Sequence, residues 1–221
     1  MQEQGRTRYR HANPLAPQPV VAVELALAEG EPAGLTAGVV ALLRGALPPG
    51  WRNEMRMGGR TVELDAALAG EQGRFLAVAL LLHILQGEGG CRAVAWGVWP
   101  VAARRAVAYA GWDDWAVADL ATAEALALLP ALSGAEAALA AALQAARTRL
   151  RAARLDQTTA ALVAAAERQA IPWRRIGAGD SLLQLGWGAK QRLLRESLIG
   201  EVQALPFLMA RDKPSTSARL Q

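Results

Sequence analysis

One cysteine, Cys91, is all the thiol this 221-residue chain contains, so no internal disulfide can form and a reducing, cytoplasmic setting is expected. Lysine is almost missing as well. Of 24 cationic residues, only Lys190 and Lys213 are lysine and the rest are arginine, an imbalance that matches a GC-rich coding bias, as does the wealth of alanine. The two histidines, His11 and His83, have no metal-ligand spacing with each other or with Cys91, which excludes a zinc site of the usual patterns. Neither the GxxxxGK[ST] phosphate loop nor a GxGxxG turn occurs. The longest unbroken apolar run, Phe75 to Leu82, is far below the roughly 20 residues that cross a bilayer. Residues 1–12 are polar and basic without the apolar core of a targeting signal, so no membrane partner is expected.

What is present suits a globular chain of one or two domains. The sequence is 52% hydrophobic with its charges well mixed, which excludes wholesale disorder. A net charge of +4 is too small to argue for nucleic acid. Arg147, Arg151 and Arg154 stand four and three residues apart and share one face of a helix. That face is either solvated or a docking surface for an anionic polymer, since guanidinium pairs well with carboxylate. No aromatic residue interleaves with these arginines, which argues against single-stranded nucleic acid.

Periodicity gives the coarse organisation. Residues 19–28 alternate as a strand, and 35–47 form an apolar helix stopped by Pro48-Pro49-Gly50. Residues 51–60 read as a loop, 71–86 as a buried helix, and 92–98 and 104–110 as strands. An Ala/Leu-rich helix follows over about 117–132. Ser133, with Glu136 at capping-box spacing, then opens a long helix to about Arg154. Asp156 caps a further helix over about 157–169, and Leu182 to Leu185 is a strand. Trp96, Trp99, Trp112 and Trp115 are expected at or near the core of the sheet, with an aromatic binding face as the alternative. His83 reads as a core or helix-end histidine, and Cys91 as a buried thiol without a triad partner. The adjacent acids Asp113 and Asp114 point apart on a helix or strand and make no acid/base dyad.

The stretch richest in information runs from Ile171 to Thr216. Leu182 to Leu185 ends in Gly186-Trp187-Gly188, which reads locally as a strand-end turn or a ligand loop, and Gln191-Arg192 follow. About twenty residues on, Asp212-Lys213-Pro214-Ser215-Thr216 reads as a helix start, with Asp212 as N-cap and Pro214 in the first turn. SLLQLGWGxxQR followed at that distance by DKxxT resembles the junction at which cyanophycin synthetases enter their ATP-grasp domain. There the corresponding motifs are SLIQLGYGxxQKR and an ATDK-like or ACDKxxT helix. Residues 166–173, Ala-Glu-Arg-Gln-Ala-Ile-Pro-Trp, are similar to that family's EAxxRGIPW approach. Arg10 to Pro14 and Pro19 to Leu25 are similar to its RGPNxW…PVxxxxLDL opening, and 93–96 and 106–109 fall where its amino-terminal domain has strands. Other ATP-grasp peptide ligases, such as N-acetylglutaminylglutamine synthetases, share much of the junction, so it leaves the substrate open.

The resemblance implies an α+β fold: a small mixed sheet with packed helices, a helical region, then the first strand-loop-helix of an ATP-grasp domain. The division is 1–155 for an amino-terminal domain and 156–221 for a linker helix and an incomplete ATP-grasp start. It implies an ATP-dependent amide ligase using ATP and Mg²⁺, in which a carboxylate becomes an acyl phosphate and an amine attacks it. Lys213, standing at the DK lysine, is the implied nucleotide-phosphate contact. The later strands that bear the metal-binding acids lie outside this sequence, so no catalytic residue or metal ligand is assigned and no ligase activity is expected of the chain alone. Docking of an Asp-Arg polymer, or assembly with further copies or with the remainder of a ligase, is the implied role. The alternative is a stand-alone, non-catalytic interaction protein descended from the ligase. Residues 74–83 offer no register for the HxxEH motif of some family members, so metal-dependent hydrolysis is not carried over. Leu205-Pro206-Phe207 replaces the usual polar run before DKxxT with a helix-weakening proline.

Overall fold

Val21, Val23 and Leu25 on one side of β2 (Val20–Ala26), and Ala106, Ala108 and Ala110 on β6 (Arg105–Gly111), alternate into the core with the two-residue period of a strand. They belong to the first of two compact units in a computed structural model that describes residues 1–48, 51, 54–57, 60–93, 95–176, 182–195 and 198–199. The first unit is Met1–Asp113 with Val117–Ala152; the second is Asp114–Ala116 with Ala153–Gln221.

In the first unit β1 (Gln2–Tyr9), β2, β6 and β5 (Trp96–Ala102) form a four-stranded sheet in the order β1-β2-β6-β5. A hairpin, β3 (Glu54–Met57) and β4 (Arg60–Glu63), stands apart from it. The helices are α1 (Ala37–Gly45), α2 (Leu64–Ala69), α3 (Gly73–Glu88), α4 (Trp115–Ala127, whose first two residues belong to the second unit) and α5 (Glu136–Ala152). All but three residues of α3 are buried, as expected of a helix apolar on every side. It lies on β5 and β6, and the run of alanines on β6 lets the large side chains of α3 sit close to the sheet. Gly73 makes the corner between α2 and α3 possible: a Cβ there would stand 1.8 Å from the Leu68 carbonyl oxygen.

The second unit contains α6 (Gln157–Arg168) and a second sheet, β10-β9-β8-β7, from Trp173–Arg175, Leu182–Leu185, Arg192–Arg195 and Leu198–Ile199 in chain order. Val163 of α6 packs with Leu183 and Leu194, flanked by Leu155, Trp173 and Leu185. The architecture is thus α+β, but every described strand pair is antiparallel, where a mixed sheet is expected.

Several local expectations change. β1 is a strand although it is polar throughout: it pairs through its backbone at the sheet edge and exposes most of its side chains, so no alternation marks it. Its pairing is irregular between Glu3 and Gly5, and the other edge is irregular between Pro100 and Ala102, which blunts both edges against pairing with another chain. The loop read over 51–60 contains β3. The helix read over 117–132 breaks before Pro130, which starts a 3-10 turn to Ser133. Ser133 does not cap α5: its hydroxyl accepts from Arg74 Nη2 at 2.6 Å, and α5 begins at Glu136. α5 ends at Ala152, short of Arg154. Trp99 and Trp115 are 54% and 44% exposed rather than in the core, whereas Trp96 and Trp112 do pack against it. Asp156 caps α6 as its sequence suggests, accepting from Thr159 N at 3.0 Å, and hydrogen bonding by the Thr159 side chain, then by its backbone N–H, holds the carboxyl below the ordinary range.

By length and composition the helical stretch Trp115–Ser133 is apolar enough to cross a membrane. Within the first unit, however, it buries Val117, Ala121, Ala125, Leu128 and Leu132 in the core, and its Asp119 and Glu124 pair with Arg8 and Arg149.

Candidate functional site

The motif-bearing turn of the second unit is built from α6 outward. Helix α6 ends in a Schellman arrangement, with Ile171 N donating to Ala166 O and Ala170 N to Glu167 O, both at 2.9 Å. The residue that must turn left-handed there is Ala170, at φ 53°. The similar EAxxRGIPW pattern has glycine at this place. The turn delivers Pro172 and Trp173 to β7, where the Trp173 indole Nε1 donates to Glu167 at 3.0 Å.

β8 then runs antiparallel to β7, with Arg174 opposite Gln184. Gln184 is buried, and its carboxamide is used at both ends: Oε1 accepts from Arg174 Nε at 2.9 Å and Nε2 donates to Gly186 O at 3.0 Å. Gly186 N in turn donates to Pro172 O at 2.7 Å. Gly186 and Gly188 both have positive φ, 71° and 62°, so the two glycines of the turn are there for backbone conformation. Between them Trp187 is held 56% exposed, with the Arg174 guanidinium 5.7 Å from its ring centroid, within cation–π range. Lys190 follows, exposed, in the short turn Gly188–Lys190. The product is a preorganised aromatic and cationic corner, able to stack a planar group and attract an anion. The chain pattern names Trp187 but not its partners. Arg174 and Gln184 emerge from the β7–β8 register, which brings together residues ten apart.

Behind this corner, Arg175 forms an ion pair with Asp114 at 2.6 Å and donates to Ala153 O at 2.9 Å. Its neighbour in sequence, Asp113, instead accepts from Arg92 N at 2.9 Å. The two acids separate, as adjacent residues do.

Lys213, together with Asp212 and Thr216, lies outside the described residues, as do Ser181 and Leu205-Pro206-Phe207. Of the three arginines read as one helical face, only Arg147 and Arg151 lie on α5. Arg147 and Arg151 of α5 both pair with Glu88 at the end of α3, at 2.5 and 2.6 Å, while Arg154 lies past the helix end in the other unit. Burial opposes the charge of Glu88, but hydrogen bonds from Arg151 and Arg147 and their charges hold its carboxyl below the ordinary value. Arg149 pairs with Glu124. Cys91 is shielded, and burial, followed by the nearby Asp113 charge, raises its thiol to about 12, so it is no nucleophile at neutral pH. Among the described residues no group of three or more His, Cys, Asp or Glu side chains could hold a metal ion. A scan against protein-family models finds no match, and a search of curated proteins finds none either.

Proposed function

We propose that this chain is the amino-terminal portion of an ATP-dependent amide ligase of the cyanophycin synthetase kind, inactive alone and serving substrate docking or assembly. The observation that carries the reading is the joining of its two most specific motifs. Residues 166–173 and 182–188 resemble separate stretches of the ligase junction. Here they meet through Gly186 N on Pro172 O, with the turn further fixed by Gln184. A bonded arrangement gives the combined pattern a structural reason to occur together.

In such a ligase ATP supplies the phosphoryl group that activates a carboxylate, and Mg²⁺ neutralises the phosphate charge. Lys213 is the residue this reading assigns to phosphate contact, and a cytoplasmic location goes with it. For the docking role, the arginines available on α5 are already paired with Glu88 and Glu124, so an anionic polymer would have to compete with those carboxylates. The deciding experiment is the intact mass of the native product in its source cell. A product well above 23.4 kDa supports a ligase front end, and ATP binding lost in Lys213→Ala would complete the case. A product of 23.4 kDa would replace it with the second reading, a stand-alone interaction protein.

A further inference from the structure

Three stretches of the second unit meet at Gly186. Its N–H donates to Pro172 O at 2.7 Å, and a Cβ on it would stand 3.5 Å from Lys190 O. Ile171, one residue before Pro172, is tied by its own N–H to Ala166 O in the last turn of α6. The end of α6, the paired ends of β7 and β8, and the turn Gly188–Lys190 therefore lie together at one end of the second sheet. Two large apolar side chains are exposed there, Ile171 at 36% and Trp187 at 56%. Three exposed cations accompany them: Arg168 in the last turn of α6, Arg174 beside the Trp187 ring, and Lys190.

The exposure of Trp187 is set by the backbone, since glycines with positive φ stand on both sides of it. The charge of this end is equally one-sided. Glu167 is the one acid among the described residues from 157 to 195, and it already accepts from the Trp173 indole. Asp114 neutralises Arg175, but among the described residues no ion pair takes up Arg168, Arg174 or Lys190. Such a patch suits a partner that is anionic outside and apolar beneath, because tryptophan settles at the headgroup level of a bilayer while cations stay at its charged surface. A second copy of the chain would bring like charges together. A single nucleic-acid strand would need a row of stacking rings, whereas Ile171 and Pro172 flank Trp187 here.

We propose that this end of the second unit docks on the surface of an anionic lipid bilayer. Trp187 and Ile171 enter the headgroup layer, and Arg168, Arg174 and Lys190 meet the lipid phosphates. The contact is peripheral: two shallow side chains do not anchor a protein, and exposed charges are screened by salt, so binding is reversible and weakens with ionic strength. The sequence leads to no membrane partner because spanning and targeting segments are local patterns, whereas this patch forms only when α6, β7 and β8 fold together. The docking stands apart from the ligase reading, because it needs neither nucleotide nor Lys213.

The test is flotation of the full chain with vesicles in the absence of nucleotide. Binding is expected to vesicles of equal parts phosphatidylcholine and phosphatidylglycerol, not to phosphatidylcholine alone, and it should fall in high salt. Arg168→Gln and Lys190→Gln should each weaken it about fivefold. Tryptophan emission should shift to the blue on the anionic vesicles, and that shift should vanish in Trp187→Phe, which keeps a ring at the turn. Because these side chains are exposed, Tm without lipid should be the same in all three variants. No binding to the mixed vesicles, equal binding to phosphatidylcholine alone, undiminished binding in both glutamine variants, or a blue shift that survives Trp187→Phe would overturn the proposal. Tighter binding to a single strand of oligothymidylate than to the vesicles would assign the patch to nucleic acid instead.

Discussion

Arg175 and Asp114 form an ion pair of 2.6 Å between side chains that are only 4% and 7% exposed. Such a pair is weak support for stability in itself, but removing one member strands the other charge in a place water does not reach. Asp114→Ala should therefore destabilise the second unit by about 3–5 kcal/mol. The double variant Asp114→Ala, Arg175→Met should lose clearly less than the sum of the two single changes. Urea denaturation of the three variants measures the coupling, and additive losses would show that the pair does not interact.

Ala170 at φ 53° holds a conformation that side chains with a Cβ resist. Ala170→Gly should stabilise the chain by about 1 kcal/mol, since glycine enters the left-handed region freely. In the opposite sense, Gly186→Ala and Gly188→Ala should each cost about 1–2 kcal/mol from φ alone. No backbone atom comes closer than 3.5 Å to the added methyl at Gly186, and nothing lies within 4 Å of it at Gly188. Thermal melts of the three variants should order them accordingly.

Glu88 and Glu31 make stability depend on acid. In both, burial raises the carboxyl pKa but the cationic partners outweigh it: Arg151 and Arg147 for Glu88, and the Met1 amine with Arg74 and an Ala28 backbone bond for Glu31. A folded pKa below the unfolded value near 4.5 gives stability that is full above that value and is lost as pH falls through the folded one. The urea midpoint should hold steady from pH 7 to 5 and fall below it. Glu88→Gln should lower the plateau and flatten the acid slope.

Cys91 should resist alkylation in the native chain at pH 8, because burial and Asp113 keep its thiol protonated. Iodoacetamide labelling should accelerate only across the urea transition. Fast labelling of the folded chain would contradict the burial.

Gly73→Ala should be among the most damaging single methyl additions, since the new Cβ meets backbone that cannot rotate away. Loss of the cooperative transition in near-ultraviolet circular dichroism is the expected result.

The sequence by itself determined the elements whose signal is local. The apolar run of α3, the alternation of β2, the Asp156 cap and the two-glycine turn at Trp187 each depend on residues within a few positions, so they were legible. The edge strand β1, the true reach of α5 and the exposure of Trp99 and Trp115 were not. Edge pairing uses backbone groups that every sequence has, and exposure depends on what packs opposite. The same distinction divides the sites. Gly186-Trp187-Gly188 stood out as a pattern, whereas Arg174 and Gln184 joined it only through the β7–β8 register. Arg147 and Arg151 read as available cations until folding brought Glu88 between them.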